Sequence, residues 1–285
     1  MPLTSVINKI IAILLLFFLT ACQEPATPPN QEQHDHIVGQ TLYTALNHPD
    51  RPDADRARDE RRKPAQILEF FGVKPGMTVI EIMSEGGYYT EILSRVVGKN
   101  GIVYSHNNKM YYDFQSDKFV KQRLKNNRLP NVVRHDTELS DLKLANNSLD
   151  AVFIMLVYHD FYWSEDNPIK VLEQLYAALK PGAILAIIDH SAPENSGIEA
   201  AQDLHGIHRI DEQLVKQKLQ SVGFVLDGQS DILRNENDPR DKAFFDKSMQ
   251  NIPTDRFVLR YKKPLAPNQK PLATDQKPLA ANENQ

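Results

Sequence analysis

Residues 73–106 read Val73-Lys74-Pro75-Gly76-Met77-Thr78-Val79-Ile80-Glu81-Ile82, then Met83-Ser84-Glu85-Gly86-Gly87, then Tyr88–Val97 and Ile102–His106. Thr78–Ile82 is a short apolar run with β-branched residues, and Gly86-Gly87 breaks it, which is the pattern of a buried strand entering a turn. Tyr88–Val97 carries a helical pattern and Ile102–His106 is a second strand. Outward from this unit the alternation continues. Val132–Arg134 is a short third strand, and Ala151–Met155 a fourth, continuously apolar as a parallel strand buried on both faces should be. Asn167-Pro168 opens a helix with an asparagine cap and proline in its first turn. That helix is expected to run to Leu179, where Pro181-Gly182 stops it and the strand Ala183–Asp189 follows. Asp211 caps another helix closed by Gly223, and Phe224–Ser230 and Arg256–Tyr261 complete the strands. Such alternation predicts an α/β fold, a mostly parallel sheet with helices on both faces.

The ends of the chain read differently. Lys9 precedes the apolar run Ile10–Leu19, followed by Thr20, Ala21 and Cys22. Ten residues rise only about 15 Å as a helix, half of a hydrocarbon core of about 30 Å, so the run suits a cleaved export signal better than a spanning helix. Leu19-Thr20-Ala21-Cys22 resembles the bacterial lipobox, and Cys22 is the sole cysteine. The expected organisation is a signal peptide over 1–21, lipidation at Cys22, a tether over 22–36, a folded domain over 37–262 and a disordered tail over 263–285. Lys263–Gln269 recurs as Lys270–Gln276 with prolines in each copy, which precludes a helix. The location implied is the bacterial cell envelope, facing the periplasm, with membrane contact through the lipid anchor only. A net charge of −4 argues against a nucleic-acid partner.

Six of the nine histidines lie in the expected domain core, and His106, His135, His159 and His190 follow the second to fifth strands. Ligands of open α/β sheets bind beyond the carboxyl ends of the strands, so these side chains are expected along the functional edge. His159-Asp160 and Asp189-His190, ending neighbouring strands, are the pairs to which chemistry is assigned. Tyr88, Tyr89, Tyr158, Phe161, Tyr162 and Trp163 flank the same strand ends and either enclose a ligand or cap the core. The arginine-rich run Asp50–Lys63 is either an anion-binding lid or an ion-paired exposed helix.

Taken together, these segments resemble a class I SAM-dependent methyltransferase over roughly residues 60–262. Val73–Ile82 is similar to that family's lead-in and first strand, and Leu179-Lys180-Pro181-Gly182 to the turn before its fifth strand. Gly86–Glu91, Tyr158–Asp160 and Asp189–Ser191 further resemble a group of bacterial lipoprotein-type methyltransferases. The resemblance implies a Rossmann-like, seven-stranded sheet and S-adenosyl-L-methionine (SAM) as cofactor, held by Glu81, Gly86, Gly87, Tyr88, Asn107 and Asp136. The family's acid-x-Gly-x-Gly-x-Gly pattern falls on Glu81, Met83, Glu85 and Gly87, so two glycines are absent, and the ribose-binding acid falls on Asn107. The leading expectation is methyl transfer to a small or envelope-derived acceptor, with His159 as the neutral-imidazole base, Asp160 beside it and His190 orienting the acceptor. Two alternatives stand beside it: a non-catalytic ligand-binding lipoprotein, and metal-dependent chemistry on the histidine-lined edge, for which no ligand set is assigned.

Overall fold

A computed structural model describes residues 31–265 except 114–115, 164–166 and 203–204, without side chains for 31–38. The signal segment, Cys22 and the repeats beyond Leu265 lie outside the described residues. Seven strands form one sheet: β1 (Thr78–Ile82), β2 (Ile102–Asn107), β3 (Val132–Asp136), β4 (Leu149–Met155), β5 (Leu179–His190), β6 (Val225–Ser230) and β7 (Arg256–Lys262). Their spatial order is β3-β2-β1-β4-β5-β7-β6. β7 runs antiparallel to both neighbours and the other pairs are parallel. The chain winds outward from β1 through β2 to β3, then returns to the other side of β1 for β4. That reversal opens a crevice beyond the carboxyl ends of β1 and β4.

Helices cover both faces. α1 (Gln31–Leu46), α2 (Pro64–Phe71) and α3 (Tyr88–Val97) bury Ile67, Leu68, Phe71, Ile92, Leu93 and Val96 against Val79, Val103 and Phe153 of the sheet. α4 (Ser116–Leu124) lies before β3. On the opposite face α5 (Pro168–Ala178) and α6 (Glu212–Val222) pack Leu172, Leu175, Val215 and Leu219 onto Ile80, Val152 and Leu185. The caps follow the sequence. Asn167 Oδ1 accepts from the Ile169 N–H at 2.9 Å, and Asp211 Oδ1 from the Gln213 N–H at 2.9 Å. Among the described residues, no helix is long and apolar enough to cross a membrane.

Three boundaries differ from expectation. α1 covers Gln31–Leu46 and so includes residues 31–36 of the stretch expected as tether, and Leu42 and Ala45 near its far end are buried in the core. β5 starts at Leu179, not Ala183: Leu179 pairs with Leu149 and Ile184 with Ala151, so Pro181-Gly182 forms an irregularity within the strand. The domain also continues past Lys262. The Lys263 N–H donates to the Ala183 carbonyl at 3.0 Å and its carbonyl accepts from Gly182 at 2.8 Å.

Candidate active site

β1 ends on Glu81, and the chain turns through Met83–Gly87 into α3. Met83, Glu85 and Gly87, the positions at which the family pattern places glycines, all adopt left-handed backbone, with φ of 50°, 53° and 79°. Glycine does this freely, whereas a residue with a Cβ gives up roughly 1–2 kcal/mol. β2 supplies the compensation. The Met83 N–H donates to His106 Nδ1 at 3.1 Å and the Ser84 N–H to the His106 carbonyl at 2.7 Å. The Glu85 N–H donates to Asn107 Oδ1 at 2.9 Å, and the Asn107 amide donates back to the Glu85 carbonyl at 3.1 Å. His106 Nδ1 accepts, so the ring carries its proton on Nε2 and donates to the Thr137 carbonyl at 3.0 Å. Burial pushes its pKa down to about 4, in keeping with a neutral structural ring.

These contacts correct two expectations. Asn107 is buried behind the loop with its amide committed to Glu85 and Ser84, not presented to a ribose. Asp136, paired with Asn107 across β2 and β3, is exposed; it forms an ion pair with Arg134 at 2.7 Å and accepts from the Tyr112 hydroxyl. Glu81 lines the cavity. Its carboxyl is buried at the cavity wall, accepts from the Thr90 hydroxyl at 2.5 Å, and burial lifts its pKa to about 7.

The cavity, about 660 Å³, falls within the roughly 300–1,000 Å³ typical of small-molecule sites. One end is lined by Glu81, Ser84, Glu85 and Tyr88, the other by His159, His190, Trp163 and Phe244. The Tyr88 hydroxyl donates to Asp59 at 2.6 Å, with the Arg62 and Arg58 guanidiniums 4.6 and 4.8 Å from its ring centre. The 50–63 run thus divides between its two readings. Arg58 and Arg62 line the cavity, whereas Arg51 is buried in a two-point pair with Asp59. Gly86 and Gly87 sit at the loop's outer side. A Cβ on Gly86 would meet Phe119 at 3.2 Å, and one on Gly87 would meet Arg123 at 3.0 Å.

At the far end, His159 is fixed on both sides. Asp189 Oδ1 lies 2.8 Å from its Nδ1, and Asp189 Oδ2 accepts the His159 backbone N–H at 2.8 Å. Asp160 Oδ1 lies 2.8 Å from Nε2. Burial pushes the ring's pKa down, but Asp189 and Asp160 outweigh it and raise it to about 10. The paired carboxylates thus favour the protonated ring over the neutral ring expected of a base. His190, one strand over, is the neutral ring: burial, then Arg256 and His159, push its pKa well down, and its Nδ1 lies 2.7 Å from Thr254 Oγ1.

Of the flanking aromatics, Tyr88 and Trp163 line the cavity, while Tyr89, Tyr158 and Phe161 are core. His135 bonds the Leu142 carbonyl at 2.6 Å, away from the cavity. Sequence reasoning missed Tyr111, Phe244, Phe245 and Arg256, which the fold brings to the same cavity. Burial and Arg62 lower the Arg256 guanidinium to about 10. Its place opposite His190 on the antiparallel β5–β7 ladder is a product of that pairing, with no local signal.

A family model described as a methyltransferase domain matches residues 85–187. The ubiquinone/menaquinone biosynthesis C-methyltransferase of Teredinibacter turnerae is 28% identical over 142 residues, covering 50% of this chain and 54% of that protein. The Klebsiella pneumoniae protein of the same name is 28% identical over 144 residues, covering 50% and 53%. The chain thus spans about half the length of the curated relatives it matches. Among solved structures, a SAM-dependent methyltransferase from Aquifex aeolicus shares 22% identity with a TM-score of 0.54, covering 78% of this chain and 97% of that one. The [4+2]-cyclase SpnF matches equally in shape, with a TM-score of 0.54 at 13% identity over 84% of this chain and 97% of its own. At these identities the likeness establishes the fold, and a cyclase among the matches shows that the fold alone does not name a reaction.

Proposed function

We propose that the chain is a class I SAM-dependent methyltransferase that transfers the SAM methyl group to a small-molecule acceptor. The observation that carries this reading is one continuous cavity joining the post-β1 loop to a wall of histidines and aromatics. The loop end fits the cofactor's methionine half: Glu81 suits its ammonium, the left-handed loop allows close backbone approach, and Arg58 and Arg62 offset the charge of a carboxylate. Tyr88 closes that end. The ribose has no acidic partner on β2 or β3, since Asn107 and Asp136 are engaged elsewhere.

When bound, SAM supplies an electrophilic methyl carbon on a sulfonium. The residues of the far end hold the acceptor against it, and such positioning can contribute roughly 7–11 kcal/mol to lowering the barrier. Trp163, Phe244 and Phe245 offer faces for an apolar or aromatic acceptor and exclude water. His190 and His159 line the same wall. We further propose that Cys22 carries the lipid that holds the protein on the periplasmic side of a membrane, its only membrane contact, and that no nucleic acid is a partner. Intact-mass measurement of the exported protein tests the anchor: acyl chains on Cys22 are expected, and an unmodified N-terminus refutes it.

Calorimetric titration of SAM into the full protein tests the cofactor. Saturable binding that Glu81→Gln weakens is expected; absence of heat with the wild type overturns the reading. Glu85, an anion where glycine is usual, favours a second reading in which a ligand binds without turnover. Binding with no methyl transfer to any acceptor in an envelope extract would establish that one.

A further inference from the structure

We propose that His159, Asp160 and His208 form a divalent transition-metal site on the acceptor side of the cavity. One ligand atom from each lies within 4.8 Å of the others, and all three residues are buried. The closest pair, His159 Nε2 and Asp160 Oδ1, is already at 2.8 Å. A tetrahedral ion with bonds of about 2.1 Å wants its ligands about 3.4 Å apart, so side-chain rotations that open the closest pair by about 0.6 Å and close the wider ones by up to about 1.4 Å complete the set.

The carboxylate supplies the second observation. Asp160 is 3% exposed, and its Oδ1 has no hydrogen-bond partner among the described residues. The short approach to His159 Nε2 is therefore a contact off the N–H direction, not a formed hydrogen bond. Among the described residues that oxygen is held by its ion pair with His159 and accepts no well-aligned hydrogen bond, the setting in which a cation is bound. The surrounding groups fix the ligands from behind, as outer-shell residues do around metals. Asp189 holds His159 Nδ1 at 2.8 Å and is itself held by the backbone N–H groups of His159 and His190, at 2.8 and 2.7 Å. The Tyr111 hydroxyl donates to the other oxygen of Asp160. His208 completes the cluster, its ring 5.6 Å from that of His159.

Two imidazoles and a carboxylate with a further position open to the cavity suit zinc, iron(II) or manganese(II) better than calcium or magnesium. The site stands on these contacts alone and holds whether or not SAM is the second ligand.

The test uses the full chain, stripped with a chelator and dialysed. Titration with zinc alone, and with manganese alone, is expected to saturate at one ion per chain and raise the melting midpoint. Cobalt(II) loading is expected to give the visible bands of a low-coordinate nitrogen/oxygen site. Asp160→Asn and His208→Ala should each weaken binding at least tenfold, while His205→Ala leaves it unchanged. No ion bound, or binding untouched by both ligand substitutions, overturns the proposal. If either variant fails to fold, the cobalt spectrum and stoichiometry of the wild type decide.

Discussion

Glu81→Gln separates what the fold prefers from what the site requires. The Glu81 carboxyl is buried, and burial lifts its pKa from 4.5 to about 7. The folded chain therefore binds this proton more tightly than the unfolded one. Its favourable contribution is complete below pH 4.5 and is lost as pH rises through 7. At about 1.4 kcal/mol per pH unit, the loss amounts to about 3 kcal/mol by pH 8. Glutamine imitates the protonated acid at every pH and still accepts from the Thr90 hydroxyl, now 2.5 Å from Glu81 Oε2. Urea unfolding of wild type and variant at pH 4, 6 and 8 isolates the effect, since other titrating groups cancel in the difference. The variant should gain up to about 3 kcal/mol over wild type between pH 4 and pH 8, and lose SAM affinity. A difference that stays flat across this range would refute the assignment of a destabilised, site-facing acid.

Other expectations follow from contacts described above. Gly87→Val meets both the left-handed φ of 79° and Arg123 at 3.0 Å, so it should destabilise the domain by at least about 1–2 kcal/mol in thermal melts and remove SAM binding. Glu85→Gly should tighten SAM binding measured by calorimetry, because it relieves a left-handed residue and removes an anion from the cavity wall; unchanged affinity would place the cofactor elsewhere. Arg209→Ala strands the buried Asp238 carboxylate now held at 2.7 and 2.9 Å, and should cost about 3–5 kcal/mol in chemical denaturation. A chain cut after Leu265 should melt like the full protein, whereas one cut after Lys262 loses the two backbone bonds of Lys263 and should be weaker by roughly 1–3 kcal/mol.

The sheet was legible because its strands are apolar runs set between helix caps that act locally: Asn167 and Asp211 are visible in sequence and cap in the structure. The positions of Glu81, His159, His190 and Tyr88 were legible too, since strand ends face one edge in this topology. What was not legible depends on approach from distant segments. The left-handed conformation of Met83 and Glu85 has no local signature, because His106 and Asn107 impose it. The two-sided setting of His159 could not be read from the His-Asp pair in sequence: its Nδ1 partner, Asp189, lies 30 residues on and closes the ring's second side. Asn107 occupies a ribose-binder's place in sequence, yet the loop it braces takes both ends of its amide. Tyr111 and Phe244 arrive from segments whose composition marks no element at all.

A glycine-rich turn reaches its left-handed shape by itself, before the rest of the chain is in place. The turn after β1 cannot. Met83 and Glu85 hold that shape only once β2 has docked in register, with Ile80 beside Tyr104 and Glu81 beside Ser105, so that His106 and Asn107 can receive them. We therefore expect β1 to pair with β2 before the mouth of the cavity sets. Loop closure is thus tied to non-local pairing, which is intrinsically slow. In stopped-flow refolding, competence to bind ligand should lag behind the recovery of helix and sheet, and Met83→Gly with Glu85→Gly should shorten that lag.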